Sequence, residues 1–247
     1  MNISGNTVLI TGGSAGIGLA IAKLLVENDN QVIVTGRDPE RLARVARELP
    51  QLTTVVCDVT RKREVDLLVQ QLQKDFPRFN MLINNAGRAY AYRLSACAGA
   101  FEKAADEILT NYLAVMGITE SLLPQLTSKA EAAIVNVSSI VALAPSAKTP
   151  TYAASKAALH SYTQSLRITL APQPNIQVFE LMPPLVNTDF SMEIGGSKGI
   201  PPEEVAQCLL KALAANQQEI HVGLTANIYK LLQSSPESAL MAMNAGN

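Results

Sequence analysis

The chain has 247 residues, 48% of them hydrophobic, with 20 basic and 21 acidic side chains and a formal net charge of −1. That hydrophobic share provides for a large core and excludes a disordered chain, while charges spread along the sequence form no basic stripe for nucleic acid or an anionic membrane. Cys57, Cys97 and Cys208 make neither a disulfide framework nor a CxxC knuckle, and His160 and His221 are too few for a histidine metal site, so reduced thiols, a cytoplasmic setting and no metal are expected.

The N-terminus, MNISGNTVLITGG, lacks a basic segment followed by a long apolar run, so no signal peptide is indicated. No apolar stretch reaches the ~18–20 residues of a membrane span. From there short β-branched runs alternate with helical patterns. Strands are expected at 7–11, 31–35, 53–57, 81–84, 132–137, 176–181 and 219–222, and helices near 16–28, 39–48, 61–76, 100–126, 151–170 and 202–215. Most of the strands are apolar on both faces, as parallel strands under two helical layers must be. The pattern predicts one α/β domain over 1–247, a Rossmann-type doubly wound parallel sheet of about seven strands with helices on both faces.

Two irregular stretches interrupt the rhythm: 88–99 after the fourth strand and 183–202, rich in Gly and Pro, after the sixth. Both begin at the carboxyl edge of the sheet, where doubly wound folds bind ligands. The part near 186–202 is expected to be a substrate loop.

The first strand runs into TGGSAGIG, placing Gly12, Gly16 and Gly18 across the start of a helix. Glycine there lets the backbone approach a pyrophosphate at the positive end of the helix. At the end of the second strand, where NAD enzymes commonly carry a ribose-binding carboxylate, the chain has Gly36 and then Arg37. A guanidinium can grip a 2′-phosphate with paired hydrogen bonds, so NADP(H) is expected over NAD(H), with Asp38 next door as a counterweight. In TPTYAASKAALHSY, Tyr152 and Lys156 stand i, i+4 on one helix face among small residues. A phenol beside an ammonium is suited to general acid–base work, the cation favouring the phenolate.

These motifs, in this order and over about residues 5–225, resemble the short-chain dehydrogenase/reductase superfamily in its compact, single-domain branch. Within it the chain is similar to little-characterised bacterial oxidoreductases, some associated with cell-wall D-alanylation operons. The resemblance implies a cofactor turn with Gly12, Ser14, Gly16, Ile17 and Gly18, an adenine segment with Asp58 and Val59, and Asn85, Ala86 and Gly87 of NNAG along the cofactor. It implies a tetrad in which Tyr152 is the proton donor and acceptor, Ser139 polarises the carbonyl and Lys156 tunes the tyrosine and bonds the nicotinamide ribose. Asn111 completes the tetrad by anchoring a water chain. Family spacing selects Ser139 over Ser138, whose hydroxyl is expected to face the backbone. Pro183, Val186 and Thr188 fall at family cofactor positions, and Pro184 replaces the usual glycine, so that loop is expected to differ in shape.

The function expected is NADP(H)-dependent hydride transfer to or from a small carbonyl or alcohol substrate. A noncatalytic NADP-binding redox sensor, a cofactor-dependent isomerase or epimerase and an NAD(H)-preferring dehydrogenase are the alternatives. Arg88, Arg93, Tyr90 and Tyr92 are candidates for a polar pocket, or the arginines are plain surface charges; Leu185, Phe190 and Met192 are candidates for an apolar wall. Relatives form homodimers or homotetramers through the helices at 100–126 and 151–170. The tail 229–247, with Leu231, Leu232, Leu240, Met241 and Met243, is a candidate for docking on a neighbouring subunit.

Overall fold

The computed structural model describes residues 1–245; the last two positions of the 229–247 tail lie outside the described residues. Seven strands, β1 (Thr7–Ile10), β2 (Gln31–Gly36), β3 (Thr53–Val56), β4 (Phe79–Asn84), β5 (Ala132–Val137), β6 (Ile176–Met182) and β7 (Glu219–His221), form one sheet in the order β3-β2-β1-β4-β5-β6-β7. Every pairing is parallel. The order reverses between β1 and β4, which opens a crevice beyond their carboxyl ends.

Successive strand residues point to opposite faces, and the core divides accordingly. Val8, Ile10, Val32 and Val34 pack with α1 (Gly16–Glu27), α2 (Pro39–Glu48) and α7 (Pro202–Ala215). Leu9, Ile33, Leu82 and Ile134 pack with α3 (Lys62–Asp75), α5 (Ala114–Thr127) and α6 (Pro150–Leu170). Asp38 caps α2 by accepting from the amides of Glu40 and Arg41, both at 3.0 Å, and Pro39 at the first helical position needs no donor.

Three features differ from the periodicity reading. The long helix expected over 100–126 is α4 (Ala100–Ile108) and α5 joined by a π-helical segment, Leu109–Leu113, which carries Asn111. The loop after β6 is stapled at its base by a bridge between Val186 and Ile200 and holds two 3₁₀ turns, Asp189–Ile194 and Gly196–Lys198. After β7 the chain forms a helical hairpin, α8 (Leu224–Ser234) and α9 (Pro236–Asn244), that strand–helix alternation gave no reason to expect. Among the described residues no helix is long and apolar enough to cross a membrane.

Candidate active site

A cavity of about 740 Å³ runs along the carboxyl edge of the sheet, from Gly12, Arg37 and Asp58 past Ala86 and Gly87 to Ser139, Tyr152 and Met243. It brings together all the expected site residues except Gly18 and Asn111, which do not line it.

At one end the turn after β1 sits under β4. Thr11 Oγ1 accepts from the amides of Asn85 (3.0 Å) and Ala86 (3.1 Å), and Asn85 Nδ2 donates to the carbonyls of Thr11 and Gly12, both at 3.0 Å. The Asn85 amide is thus spent on shaping the turn. A side chain at Gly12, whose φ is +65°, would place its Cβ 2.9 Å from Ala86 Cα. A Cβ at Gly18 would meet Asn85 Nδ2 at 2.4 Å and Gly12 O at 2.6 Å. Gly18 therefore permits the close contact of helix and turn. No side chain caps α1, which leaves its first amides directed at the cleft, as an anion site requires.

Further out, a Cβ at Gly36 would stand 3.0 Å from Ser14 Oγ. Arg37 is exposed beside it, and Arg41 lines the same end. Asp38 is committed to capping α2, with Oδ2 4.0 Å from Arg41 Nε. Burial works against the Asp58 carboxylate, yet hydrogen bonds from Thr60 and the charges of Arg37 and Arg61 hold it below the usual range.

At the other end, β5 delivers Ser138 and Ser139, and α6 begins at Pro150, so that Tyr152 lies in its first turn. The Ser139 hydroxyl, whose Oγ accepts from Val141 N at 3.3 Å, acts on the Tyr152 phenol, and Lys156 Nζ lies 5.7 Å from the phenol ring centroid. Lys156 is only 4% exposed, and its ammonium donates to Val137 O at 2.8 Å. Burial sets the electrostatics of this pair in the protein alone. Burial pushes the Tyr152 phenol above its ordinary value, the Ser139 hydrogen bond opposes this and the charge of Glu107 adds to it. Burial lowers Lys156 to about 8, with Glu180 resisting. One of the three donors of the ammonium is thus held by a backbone carbonyl, and burial dominates the phenol in the protein alone.

Asn111 is fully buried in the π-helical segment. Its Oδ1 accepts from Arg88 N at 2.7 Å, and its Nδ2 donates to Arg88 O and Ser155 Oγ, both at 2.8 Å. Ser155 Oγ in turn donates to Tyr152 O at 2.7 Å, so Asn111 ties the loop after β4 to the helix of the tyrosine.

Ser138 also departs from expectation. It is 2% exposed and lines the cavity, and its hydroxyl has no hydrogen-bond partner among the described residues. A buried hydroxyl at the cavity wall with no protein partner is able to donate to a ligand or a water. Beneath Lys156, His160 Nδ1 lies 3.0 and 2.9 Å from the two carboxylate oxygens of Glu180, which is 0% exposed. Their places on α6 and β6 were visible in the sequence, but not their contact.

Arg88 and Arg93 do not line the cavity. Arg88 Nε donates to Asp106 Oδ2 at 2.8 Å and to Tyr90 Oη at 3.1 Å, and Arg93 is exposed. Tyr92 Oη is paired with Thr151 Oγ1 at 2.8 Å. Leu185 and Phe190 do line it, whereas Met192 is exposed outside. Pro184 lines it as well, with Gly223 close behind. The tail meets its own chain. Leu231, Leu232 and Met243 pack with Tyr152 around Ile140, Val141, Ala153, Ile228 and Ala239, while Leu240 and Met241 are exposed.

The chain matches the short chain dehydrogenase family over residues 6–199. It is 39% identical over 225 residues to the uncharacterized oxidoreductase DltE of Bacillus subtilis, covering 89% of each chain. It is 30% identical over 251 residues to a fatty acyl-CoA reductase of Acinetobacter baylyi, covering 98% of this chain and 85% of that one. A short chain dehydrogenase from Burkholderia cenocepacia J2315, solved in complex with NADP, superposes with a TM-score of 0.87 at 26% identity, over 98% of this chain and 99% of that one. The glycine turn, the paired hydroxyls and the buried lysine fit the nicotinamide cofactor that such a relative holds, and with the matched segment spanning them all, the chain belongs to the short-chain dehydrogenase family of oxidoreductases.

Proposed function

We propose that the protein, as a single NADP-binding domain over 1–247, interconverts a carbonyl and an alcohol with NADP(H), using Tyr152 as the acid and base. What carries the reading is the Tyr152–Ser139 hydroxyl pair beside Lys156, in one cavity that continues to Arg37. When bound, the nicotinamide supplies or accepts the hydride. Ser139 and Tyr152 would hold the carbonyl oxygen between two donors, so that charge developing on it meets preset hydrogen bonds. The high phenol pKa keeps Tyr152 protonated at neutral pH, the form a proton donor needs. An alkoxide is the far stronger base, so the transfer runs downhill. Lys156 and the Ser138 hydroxyl, both lining the cavity, would bond the sugar or carboxamide beside the reacting ring.

The preference for NADP(H) over NAD(H) rests on Arg37 and Arg41 at the far end, on Gly36 leaving room for Ser14, and on Asp38 being occupied as a helix cap. A 2′-phosphate would meet two guanidinium groups there and no free carboxylate from β2. Thr188 and Val186 would close the loop near 186–202 over the cofactor, Thr188 Cγ2 lying 3.1 Å from where a Gly16 Cβ would be. The reading extends to a cytoplasmic homodimer or homotetramer, supported by Phe101, Leu109, Leu113 and Ile168 standing exposed on or between α4, α5 and α6.

The test is Tyr152→Phe, assayed for NADPH oxidation against a panel of aldehydes and ketones. General acid loss predicts a fall in kcat of about 10²–10⁴-fold with cofactor affinity retained. Near-wild-type turnover would refute the mechanism.

A further inference from the structure

We infer that the α8–α9 hairpin makes the tyrosine end of the cleft a slot for the apolar chain of the substrate, selecting uncharged aliphatic or arylalkyl carbonyls; the inference rests on the carbonyl reading above. At the tyrosine end the apolar part of the lining is Val141, Phe190, Ile194, Leu224, Ala242 and Met243, beside the polar Ser146 and Thr149. Three of the six apolar residues belong to the hairpin. The Phe190 ring stands 6.0 Å from that of Tyr152, inclined at 61°, so an apolar surface begins beside the phenol.

The hairpin is anchored as a wall. Ile228 and Ala239 are buried against Ile140, Val141, Ala144 and Ala153, the segment that carries Ser139 and Tyr152 into place. Asn244 Oδ1 accepts from Ala147 N at 2.9 Å, and Asn244 Nδ2 donates to Pro145 O at 3.0 Å, which pins the end of α9 to the loop before α6. Apolar groups also stand in water where this end opens: Phe190 is 50% exposed and Leu224 56%. An apolar ligand chain lying across them would remove that surface from water.

Charge recognition has little to work with there. Arg88 is paired with Asp106, and Arg93 is outside the cavity. The ammonium of Lys156 is turned to Val137 O. Lys148 and Asp189, which also line the cavity, are exposed, so the lining of this end carries one charge of each sign, both open to water.

The test uses the full chain with NADPH and n-alkanals from butanal to decanal, each beside its ω-carboxylated counterpart. In parallel, calorimetry with NADP⁺ measures binding of primary aliphatic amides of the same lengths. Each methylene is expected to raise kcat/KM and amide affinity about fourfold until the slot is filled. The terminal carboxylate is expected to cost at least tenfold. Leu224→Asp, at an exposed first position of α8 where a carboxylate suits the helix, should flatten the length dependence without unfolding the protein. A flat wild-type series in both measurements, or a preference for the carboxylated chains, would overturn the slot. Turnover with no length dependence would sink the slot and leave the chemistry standing. Amide affinity that climbs with length, without turnover of any carbonyl, would keep the slot and sink the chemistry.

Discussion

The two ends of the cleft are built by different means. At the glycine-turn end the lining comes from short segments directly after β1, β2, β3 and β4, fastened by backbone-directed hydrogen bonds such as those of Thr11 and Asn85. At the tyrosine end it comes from segments as far apart as 139–152, 185–194 and 224–245, held by apolar packing. The first end is tight, since Cβ atoms at Gly12 or Gly18 would collide with backbone or a pinned amide. The second end presents exposed Phe190 and Leu224. A site for an invariant ligand part can be rigid and local, whereas a site for a variable chain is better drawn from replaceable surface elements.

The largest effect should fall where the ends meet. Lys156→Met is expected to lower kcat/KM by about 10²-fold or more, read in single-turnover reduction by NADPH. A loss confined to KM for the carbonyl would instead assign the lysine to the tyrosine end alone. Next comes Arg37→Ala, which should weaken NADP⁺ by about 10–100-fold, as loss of charge-assisted hydrogen bonds does. Equilibrium titration should find NAD⁺ binding unchanged, and an unchanged NADP⁺/NAD⁺ ratio would refute the 2′-phosphate assignment.

Gly18→Ala probes rigidity. Overpacking against Asn85 and Gly12 should cost about 1–3 kcal/mol in denaturant unfolding. The same exchange of small for larger at Ala242, exposed on α9, should leave stability within about 0.5 kcal/mol. Equal costs would erase the contrast between the ends.

The smallest effect is in the pH dependence of stability. The Glu180 hydrogen bond raises the pKa of His160 above its ordinary 6.5, against burial and with help from the charges of Glu180 and Glu219. The folded chain therefore holds this proton longer than the unfolded one. The contribution is complete below about 6.5 and declines as pH rises through the folded value. Lys156 acts in the opposite sense: burial lowers it from 10.5 to about 8, so stability rises between those values as the folded chain sheds its proton first. Unfolding free energies measured across pH should lose the first slope in His160→Gln and the second in Lys156→Met.

The strand–helix alternation was readable because period-two and period-3.6 patterns are local, and all seven strands lie where apolar runs placed them, within a few residues. The glycine turn and the Tyr152–Lys156 face were readable for the same reason. Periodicity missed the break at Leu109–Leu113, because a π segment keeps a helical pattern while inserting a residue into the turn. It missed the inward turn of Leu231, Leu232 and Met243, since an apolar stripe records that something covers it and not what.

Composition, periodicity and the spacing of a few motifs were enough to determine a doubly wound sheet with a dinucleotide-type turn and a tyrosine–lysine face, because each depends on residues within one βα unit. Tertiary structure alone decided that Lys156 bonds Val137 O, that burial raises the Tyr152 pKa, that Ser138 has no partner among the described residues and that α9 walls the tyrosine. Those outcomes depend on dielectric surroundings and on contacts between segments tens of residues apart, and no local pattern encodes either.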